Sequence, residues 1–222
     1  MIRRFRDRTE AGQLLASRLS AYANKPDVIV LALPRGGVPV AYQVAKTLNL
    51  PLDVFIVRKL GVPEQRELAM GAIATGGMIV FDHQLIKLLK IPDQIIYQVV
   101  QEEQRELDRR ESRYRNGRQF PELAGRTAIL VDDGIATGAT MLVAVRALRE
   151  HKLAHIVVAV PVAPPSVCET LAAEAVEVVC LMTPQPFTAV GLWYNDFSEL
   201  TDEEVSSFLE MATIEHLSPV SG

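Results

Sequence analysis

Two adjacent carboxylates, Asp132 and Asp133, stand at the point of the sequence best suited to chemistry. They come directly after the apolar run from Thr127 to Val131, which is typical of a buried strand. Ligands of parallel α/β sheets bind beyond the carboxyl ends of the strands, so both side chains are predicted at a ligand-binding edge. Carboxylates accept hydrogen bonds from vicinal hydroxyl groups, and the pair can therefore hold a ribose.

The seven residues after the carboxylates suit a phosphate group. Gly134 and Gly138 permit tight turns and a close approach of backbone N–H groups. Thr137 and Thr140 add hydroxyl donors, and the N-terminus of the helix that follows adds partial positive charge. The loop lacks the glycine-lysine pair of a P-loop and the spacing of a dinucleotide fingerprint. The predicted phosphate loop consists of Gly134, Ile135, Ala136, Thr137, Gly138, Ala139 and Thr140.

This segment resembles the phosphoribosyl-pyrophosphate signature of the type I phosphoribosyltransferases. Four apolar residues, two acids and a short stretch ending in Ala136, Thr137 and Gly138 carry the resemblance. The alternative is an ordinary strand, turn and helix. The resemblance implies phosphoribosyl pyrophosphate binding, with Asp132 and Asp133 as the catalytic residues.

A second glycine-containing segment, LPRGG from Leu33 to Gly37, follows the first predicted core strand. The resemblance places the pyrophosphate-binding loop of the family here. Arg35 would offer a charged fork, and Gly36 a close backbone approach to the ligand. The alternative is a plain strand-to-helix turn with a solvated arginine.

Arg58 and Lys59 follow the predicted strand Leu52 to Val57 and resemble the basic pair that many family members aim at pyrophosphate. A solvated basic pair at the end of a strand is the alternative. The stretch from Gly61 to Ala72 falls where the family has a mobile loop that closes over the reacting centre. Three side chains of this stretch could enter the site or stay at the surface: Glu64, Arg66 and Glu67.

The segment from Thr183 to Phe197 resembles the hood that covers the acceptor base in hypoxanthine-guanine phosphoribosyltransferases. Phe187 is the first candidate for stacking on the base and Trp193 the second, with core packing as the alternative for both. Ala136 replaces the aspartate of those enzymes, and Pro186 replaces their lysine. The pattern of PRGG, VRK and VDDGIATGAT instead resembles a group of bacterial proteins described only as phosphoribosyltransferases.

Strand-length apolar runs alternate with helical patterns, which predicts a parallel sheet. Strands are predicted at Val28 to Leu33, Leu52 to Val57, Thr127 to Val131, His155 to Val160 and Val176 to Leu181. Helices are predicted at Arg8 to Tyr22, Val38 to Leu48, Asp93 to Asn116, Thr140 to Glu150, Pro165 to Ala173 and Asp202 to Ala212. Asp7 is predicted to cap the first helix, Gly76 and Gly77 predict an antiparallel hairpin, and the charged run from Gln101 to Arg115 predicts a solvated helix face.

Together these features imply an α/β fold: a Rossmann-like parallel sheet core of the type I phosphoribosyltransferase kind with a small hood subdomain. A single phosphoribosyltransferase domain is expected over residues 1–222. Its core spans about residues 24–181, with an inserted hairpin and long helix at residues 72–118. The hood spans about residues 182–200 and is completed by the C-terminal helix.

The composition narrows the function classes. The 222 residues are 49% hydrophobic and 23% charged with a net charge of −4, which argues against a nucleic-acid-binding face. The apolar runs are shorter than the roughly 20 residues of a membrane span, and the first residues lack an apolar signal core. A cytoplasmic protein without a membrane partner is therefore expected.

The expected activity is a glycosyltransferase reaction of nucleotide metabolism. Ribosyl 5-phosphate would pass from Mg²⁺-bound phosphoribosyl pyrophosphate to a nitrogen nucleophile, such as a nucleobase, with release of pyrophosphate. Mg²⁺ would be held through the substrate rather than by direct protein ligands. The resemblance also implies a homodimer. The alternative function is a non-catalytic regulatory module that senses phosphoribosyl pyrophosphate.

Overall fold

The computed structural model describes residues 4–63, 65–174 and 176–217, and these form eight strands and seven α-helices. In chain order the strands are β1 (Val28–Ala32), β2 (Leu52–Val54), β3 (Val57–Val62), β4 (Gln65–Ala74), β5 (Met78–Phe81), β6 (Thr127–Val131), β7 (His155–Val162) and β8 (Glu177–Met182). The helices are α1 (Arg8–Arg18), α2 (Gly37–Leu48), α3 (His83–Leu89), α4 (Asp93–Arg115), α5 (Ala139–Arg149), α6 (Pro165–Ala173) and α7 (Asp202–Leu217).

Five strands form a parallel sheet in the order β2-β1-β6-β7-β8. Its register places Val28 opposite Thr127 and Ala32 opposite Val131, so β1 and β6 end at the same edge. Every residue of β1 is buried, as expected for an apolar strand covered on both faces. The predicted α/β fold with a parallel sheet core is confirmed.

Helices cover the two faces of this sheet. Side chains alternate across β1 and β6: Val30 and Ile129 pack with α1, α2 and α7, whereas Ile29 and Leu130 pack with α5 and α6. Asp7 caps α1 as predicted, because its side chain accepts a hydrogen bond from the backbone N–H of Glu10. Within the described ranges, none of the helices combines the length and the apolar character needed to cross a membrane.

A second sheet is antiparallel and has the strand order β3-β4-β5. Its strands come between β2 and β6 in the sequence. The predicted hairpin is confirmed, since β4 and β5 are joined by a turn in which Gly76 and Gly77 have φ values of +84° and +75°. Only glycine adopts such angles without steric cost, and this fixes the position of the turn.

Two predictions about the preceding segment are wrong. The strand predicted from Leu52 to Val57 ends at Val54, and Val57 already begins β3. The stretch from Gly61 to Ala72, predicted as a loop, lies largely in paired strands, with Leu60 opposite Gly71. Burial of Leu60 and other apolar side chains against α4 favours strand pairing over an irregular loop. Glu64 lies outside the described residues, as do the side chains of Arg66 and Glu67.

The long charged helix is confirmed as α4, but its predicted solvated face is wrong at Arg115. Arg109 and Arg110 do pair with Glu106 at the surface. Arg115, however, is 4% exposed, and its Nε atom lies 3.0 Å from the Oδ1 atom of buried Asp53 in β2. The reason is that Asp53 is withdrawn from water and needs a partner charge.

Candidate active site

The site lies where β1 and β6 end. Asp132 and Asp133 follow β6 directly, and the backbone N–H of Asp133 donates to Oδ1 of Asp132 at 2.8 Å. Leu33 extends the strand pairing by one bond, since its N–H donates to the carbonyl of Val131 at 2.9 Å. The residues after both strands are thereby held side by side, as predicted for the carboxyl edge of a parallel sheet.

A cavity of about 220 Å³ opens above the phosphate loop, and Asp132 forms part of its wall. Gly138 ends the loop with a φ of +81°, and α5 begins at the next residue without a side-chain cap within the described chain. The first N–H groups of α5 therefore lack intrahelical partners, and they carry the partial positive charge of a helix N-terminus. The remaining wall consists of Gly134, Ile135, Ala136, Thr137, Gly138, Ala139, Thr140, Met141 and Val190.

The PRGG loop packs directly against the carboxylates. A Cβ atom on Gly36 would lie 2.0 Å from Oδ2 of Asp133, and one on Gly37 would lie 2.9 Å from the Cα atom of Asp132. A side chain on Gly36 would therefore displace the carboxylate of Asp133, and one on Gly37 would displace the backbone after β6. The peptide bond between Pro34 and Arg35 is cis. The structure brings together two of the predicted segments, the glycine loop and the acid pair.

Arg35 extends away from the glycines towards the end of the hood. Its Nη2 atom donates to Oε1 of Glu199 at 2.5 Å, with 40% of the Arg35 side chain and 81% of the Glu199 side chain exposed. An ion pair this exposed is weak and open to exchange with another anion. Glu199 was not identified from the sequence.

Arg8 is a second residue that the sequence did not identify. Its Nε atom donates to Oδ2 of Asp133 at 2.8 Å, while the hydroxyl group of Tyr194 donates to the backbone carbonyl of Asp133 at 2.6 Å. Asp133 is thus held from the first helix and from the hood as well as from the PRGG loop.

Burial and mutual proximity perturb the two carboxyl groups. The pKa of Asp132 lies well above its usual range because the group is withdrawn from water and adjoins Asp133. Burial also raises the pKa of Asp133, while the charge and hydrogen bond of Arg8 oppose that rise. The two carboxyl groups thus resist being negatively charged together, and a ligand that carries hydroxyl donors or a cation would relieve this repulsion.

The sequence model of a protein family, the phosphoribosyl transferase domain, matches residues 8–191 of the chain. The chain belongs to this domain family. The predicted resemblance to the phosphoribosyltransferases is confirmed at the level of the domain family.

Three relatives show how far the similarity extends. Two proteins of Mycobacterium tuberculosis, from strains CDC 1551 and H37Rv, are each named a putative phosphoribosyl transferase. Each is 47% identical to this chain over 208 residues, which cover 94% of this chain and 47% of the relative. The chain thus spans about half the length of these curated relatives. The crystal structure of a protein from Thermus thermophilus is 43% identical, with a TM-score of 0.81 over 93% of this chain and 97% of that one.

In this phosphoribosyl transferase domain Arg58 and Lys59 lie within β3 rather than directly after a strand of the parallel sheet. Arg58 Nε donates to Oε2 of Glu103 on α4 at 2.7 Å. Lys59 lines a different cavity, of about 360 Å³, together with Glu102 and Glu103. Neither residue is part of the wall of the Asp132 cavity.

The hood aromatics pack on each other. The rings of Phe187 and Trp193 are stacked, with centroids 6.3 Å apart and planes at 19°. They join a small cluster with Phe5, Val162 and Tyr194. In this phosphoribosyl transferase domain both rings are half-buried against that cluster, and stacking on a base stays a prediction.

Proposed function

We propose that the domain binds the magnesium complex of phosphoribosyl pyrophosphate and transfers ribosyl 5-phosphate to a small nitrogen nucleophile, with release of pyrophosphate. The observation that carries the proposal is the contact between Gly36 and Asp133. Through this contact the PRGG loop lies next to the acid pair, which the phosphate loop follows directly in the chain, so pyrophosphate, sugar and phosphate could bind in that order.

Each part of the ligand would have its own protein groups. Asp132 would accept hydrogen bonds from the ribose hydroxyl groups, because it is the carboxylate on the cavity wall. The loop Gly134 to Thr140 and the N-terminus of α5 would hold the 5-phosphate. Arg35, with the backbone of Gly36 and Gly37, would hold the pyrophosphate after exchanging its contact with Glu199. Arg58 and Lys59 would reach the leaving group only after a movement of the antiparallel sheet.

The reaction needs no protein nucleophile. The bond from the anomeric carbon to the pyrophosphate oxygen would lengthen first, so positive charge would develop on the sugar ring and negative charge on the leaving group. Negative charge at Asp132 stabilises the ring, and the guanidinium of Arg35 stabilises the pyrophosphate. The nucleophile then attacks the anomeric carbon, and catalysis comes from positioning and electrostatics.

The carboxylate edge suits magnesium. Its two acids lie side by side with pKa values raised by burial, and a hard cation with oxygen ligands would offset this excess negative charge. Substrate oxygens and water would hold Mg²⁺, with Asp132 accepting hydrogen bonds from the water shell. When bound, the ion supplies positive charge that neutralises the pyrophosphate.

The acceptor is proposed to be a nucleobase bound beneath the hood. Phe187 and Trp193 would have to separate for either ring to stack on a base. Ala136 provides no carboxylate to take up the proton of the acceptor, and Pro186 no ammonium group to recognise a purine carbonyl. A nucleobase that loses its proton readily to solvent fits these side chains best.

Calorimetric titration tests the proposal. Phosphoribosyl pyrophosphate with Mg²⁺, ribose 5-phosphate and pyrophosphate are titrated separately, followed by a screen of nucleobases for pyrophosphate release. Asp132→Asn should lose about tenfold or more in affinity for both sugar ligands, whereas Asp108→Asn on the exposed surface of α4 should bind like the wild type. Absence of binding of all three ligands to the wild-type protein would rule the proposal out.

A metabolite-sensing module without transferase activity is the second candidate. The observation that favours it is the internal pairing of the charged groups, Asp133 with Arg8 and Arg35 with Glu199. Such a module would bind phosphoribosyl pyrophosphate in the titration and release no pyrophosphate with any nucleobase.

The homodimer and the cytoplasmic location stay predictions. Light scattering of the purified protein tests the homodimer.

A further inference from the structure

The two neighbouring carboxylates of the site face different surroundings. Asp132 lines the cavity above the phosphate loop, whereas Oδ2 of Asp133 accepts a hydrogen bond from Arg8. The side chains of Arg8 and Asp133 are each 12% exposed. A charge-assisted bond so shielded from water is stronger than a surface pair and less screened by salt. One carboxylate oxygen of Asp133 is thus held by Arg8, while Asp132 faces the cavity.

The guanidinium of Arg8 is held on further sides by the hood. Its Nη1 atom donates to the carbonyl of Ser198 at 2.8 Å, and its central carbon lies 4.0 Å from the centroid of the Phe197 ring. The backbone N–H of Asn195 donates to the carbonyl of Phe5 at 2.8 Å, which ties the segment before Arg8 to the same hood. The guanidinium is therefore fixed in place independently of any ligand.

Helix stability does not account for an arginine at this position. Arg8 is the first residue of α1, where the helix macrodipole favours negative charge and disfavours a cation. The acidic residues at this end, Asp7 and Glu10, follow the favourable pattern, and the exposed Arg6 before the helix pairs with Asp7. A positive charge at Arg8 is offset by Asp133, which points to a role in the site rather than in the helix.

We propose that Arg8 is a positioning residue for the sugar subsite: it neutralises and orients Asp133 so that the acid pair presents an ordered carboxylate edge to the ribose. The inference rests on the proposed function. Without Arg8 two adjacent carboxylates would face each other without a counter-charge. Asp133, freed from its anchor, would displace the neighbouring Asp132 from the arrangement that accepts the sugar hydroxyls.

Arg8→Met tests this role, with Arg6→Met as the matched control. Arg6 belongs to the same segment, but its side chain is 68% exposed and pairs with Asp7 rather than with the site. In calorimetric titration Arg8→Met should weaken ribose 5-phosphate binding about tenfold or more and pyrophosphate binding less than about threefold. Arg6→Met should change neither. A merely structural role would weaken both ligands together, and equal losses or no loss in Arg8→Met would overturn the proposal.

A second variant covers the case in which Arg8→Met does not fold. Phe197→Leu keeps the guanidinium and removes the ring on which it rests. It should weaken ribose 5-phosphate binding by about two- to fivefold, within the range of one exposed cation–π contact, and leave pyrophosphate binding unchanged. The same loss for both ligands, or none, would overturn the role of Arg8. Failure of the wild-type protein to bind any of these ligands would instead refute the proposed function.

Discussion

Replacing Arg115 by methionine should destabilise the protein more than any other single change of a charged residue on α4. The guanidinium donates from Nη2 to the carbonyl of Val54 at 2.9 Å and from Nε to buried Asp53 at 3.0 Å. Methionine keeps much of the side-chain volume but removes both bonds and the ion pair between Nη1 and Glu111. Asp53 would be left as a buried carboxylate of β2 without its hydrogen-bonded partner charge.

The expected loss of unfolding free energy is about 3–5 kcal/mol, the usual cost of removing one partner from a buried ion pair. In a protein of this size that loss lowers the melting temperature by about 6–20 °C. Arg109→Met is the matched control, because its pair with Glu106 is half exposed and contributes about 0–1 kcal/mol. Adding Asp53→Asn to Arg115→Met should recover part of the loss, because the unpaired charge disappears.

The pH dependence of the lost unfolding free energy distinguishes the effect of the unpaired charge from the effect of lost packing. Burial raises the pKa of Asp53 in the folded protein, and Arg115 opposes that rise, so removing Arg115 raises the pKa further. A carboxyl group whose folded pKa lies above the unfolded value stabilises the fold at low pH and loses that contribution as the pH rises through the folded pKa. The difference in melting temperature between Arg115→Met and the wild type should therefore shrink between pH 8 and pH 5. A difference in melting temperature that stays constant with pH would refute the reasoning. So would a loss of unfolding free energy below about 1 kcal/mol at pH 8.

Two further predictions concern the proposed pyrophosphate loop. Gly36→Ala should reduce phosphoribosyl pyrophosphate affinity by about tenfold or more, because the added methyl group would overlap the carboxylate of Asp133. Unchanged affinity in calorimetry would contradict the contact. Glu199→Gln should raise pyrophosphate affinity about two- to fivefold, since it frees the guanidinium of Arg35 from an exposed pair. Glu203→Gln, which alters a pair between α7 and α4, should not, and a lower affinity in Glu199→Gln would show that Glu199 assists binding.

Much of the fold could be predicted because its signals are local. The apolar runs of β1, β6 and β7 are long and rich in β-branched residues, and Asp7 caps α1 through a side chain three residues from its bonding partner. The end of β2 at Val54 could not be predicted, since the apolar run continues to Val57. Pairing of Val57 with Ala74 of β4 starts a different sheet there. Helix α3 was also missed, because seven residues give too short a pattern.

The candidate site was likewise predictable only where its residues are close together in the sequence. Asp132, Asp133 and the phosphate loop are contiguous, so their types and spacing were sufficient to predict that they lie together at one edge of the sheet. Arg8 lies 125 residues from its partner Asp133 in the sequence. Glu199 lies 164 residues from its partner Arg35. No local pattern predicts such contacts. The one available signal was the unfavourable position of Arg8 in the first turn of a helix.

The hydrogen bond from Arg8 to Ser198 spans 190 residues, and this sets an order of events during synthesis. A ribosome that adds about 5–20 residues per second needs about 10–40 s to pass from one to the other. The strands and the acid pair are made within that interval, while Phe197 and Ser198, which hold Arg8 in place, are not. A nascent chain halted before the hood would therefore carry the sheet without a finished pocket, and the ligand could not yet stabilise it.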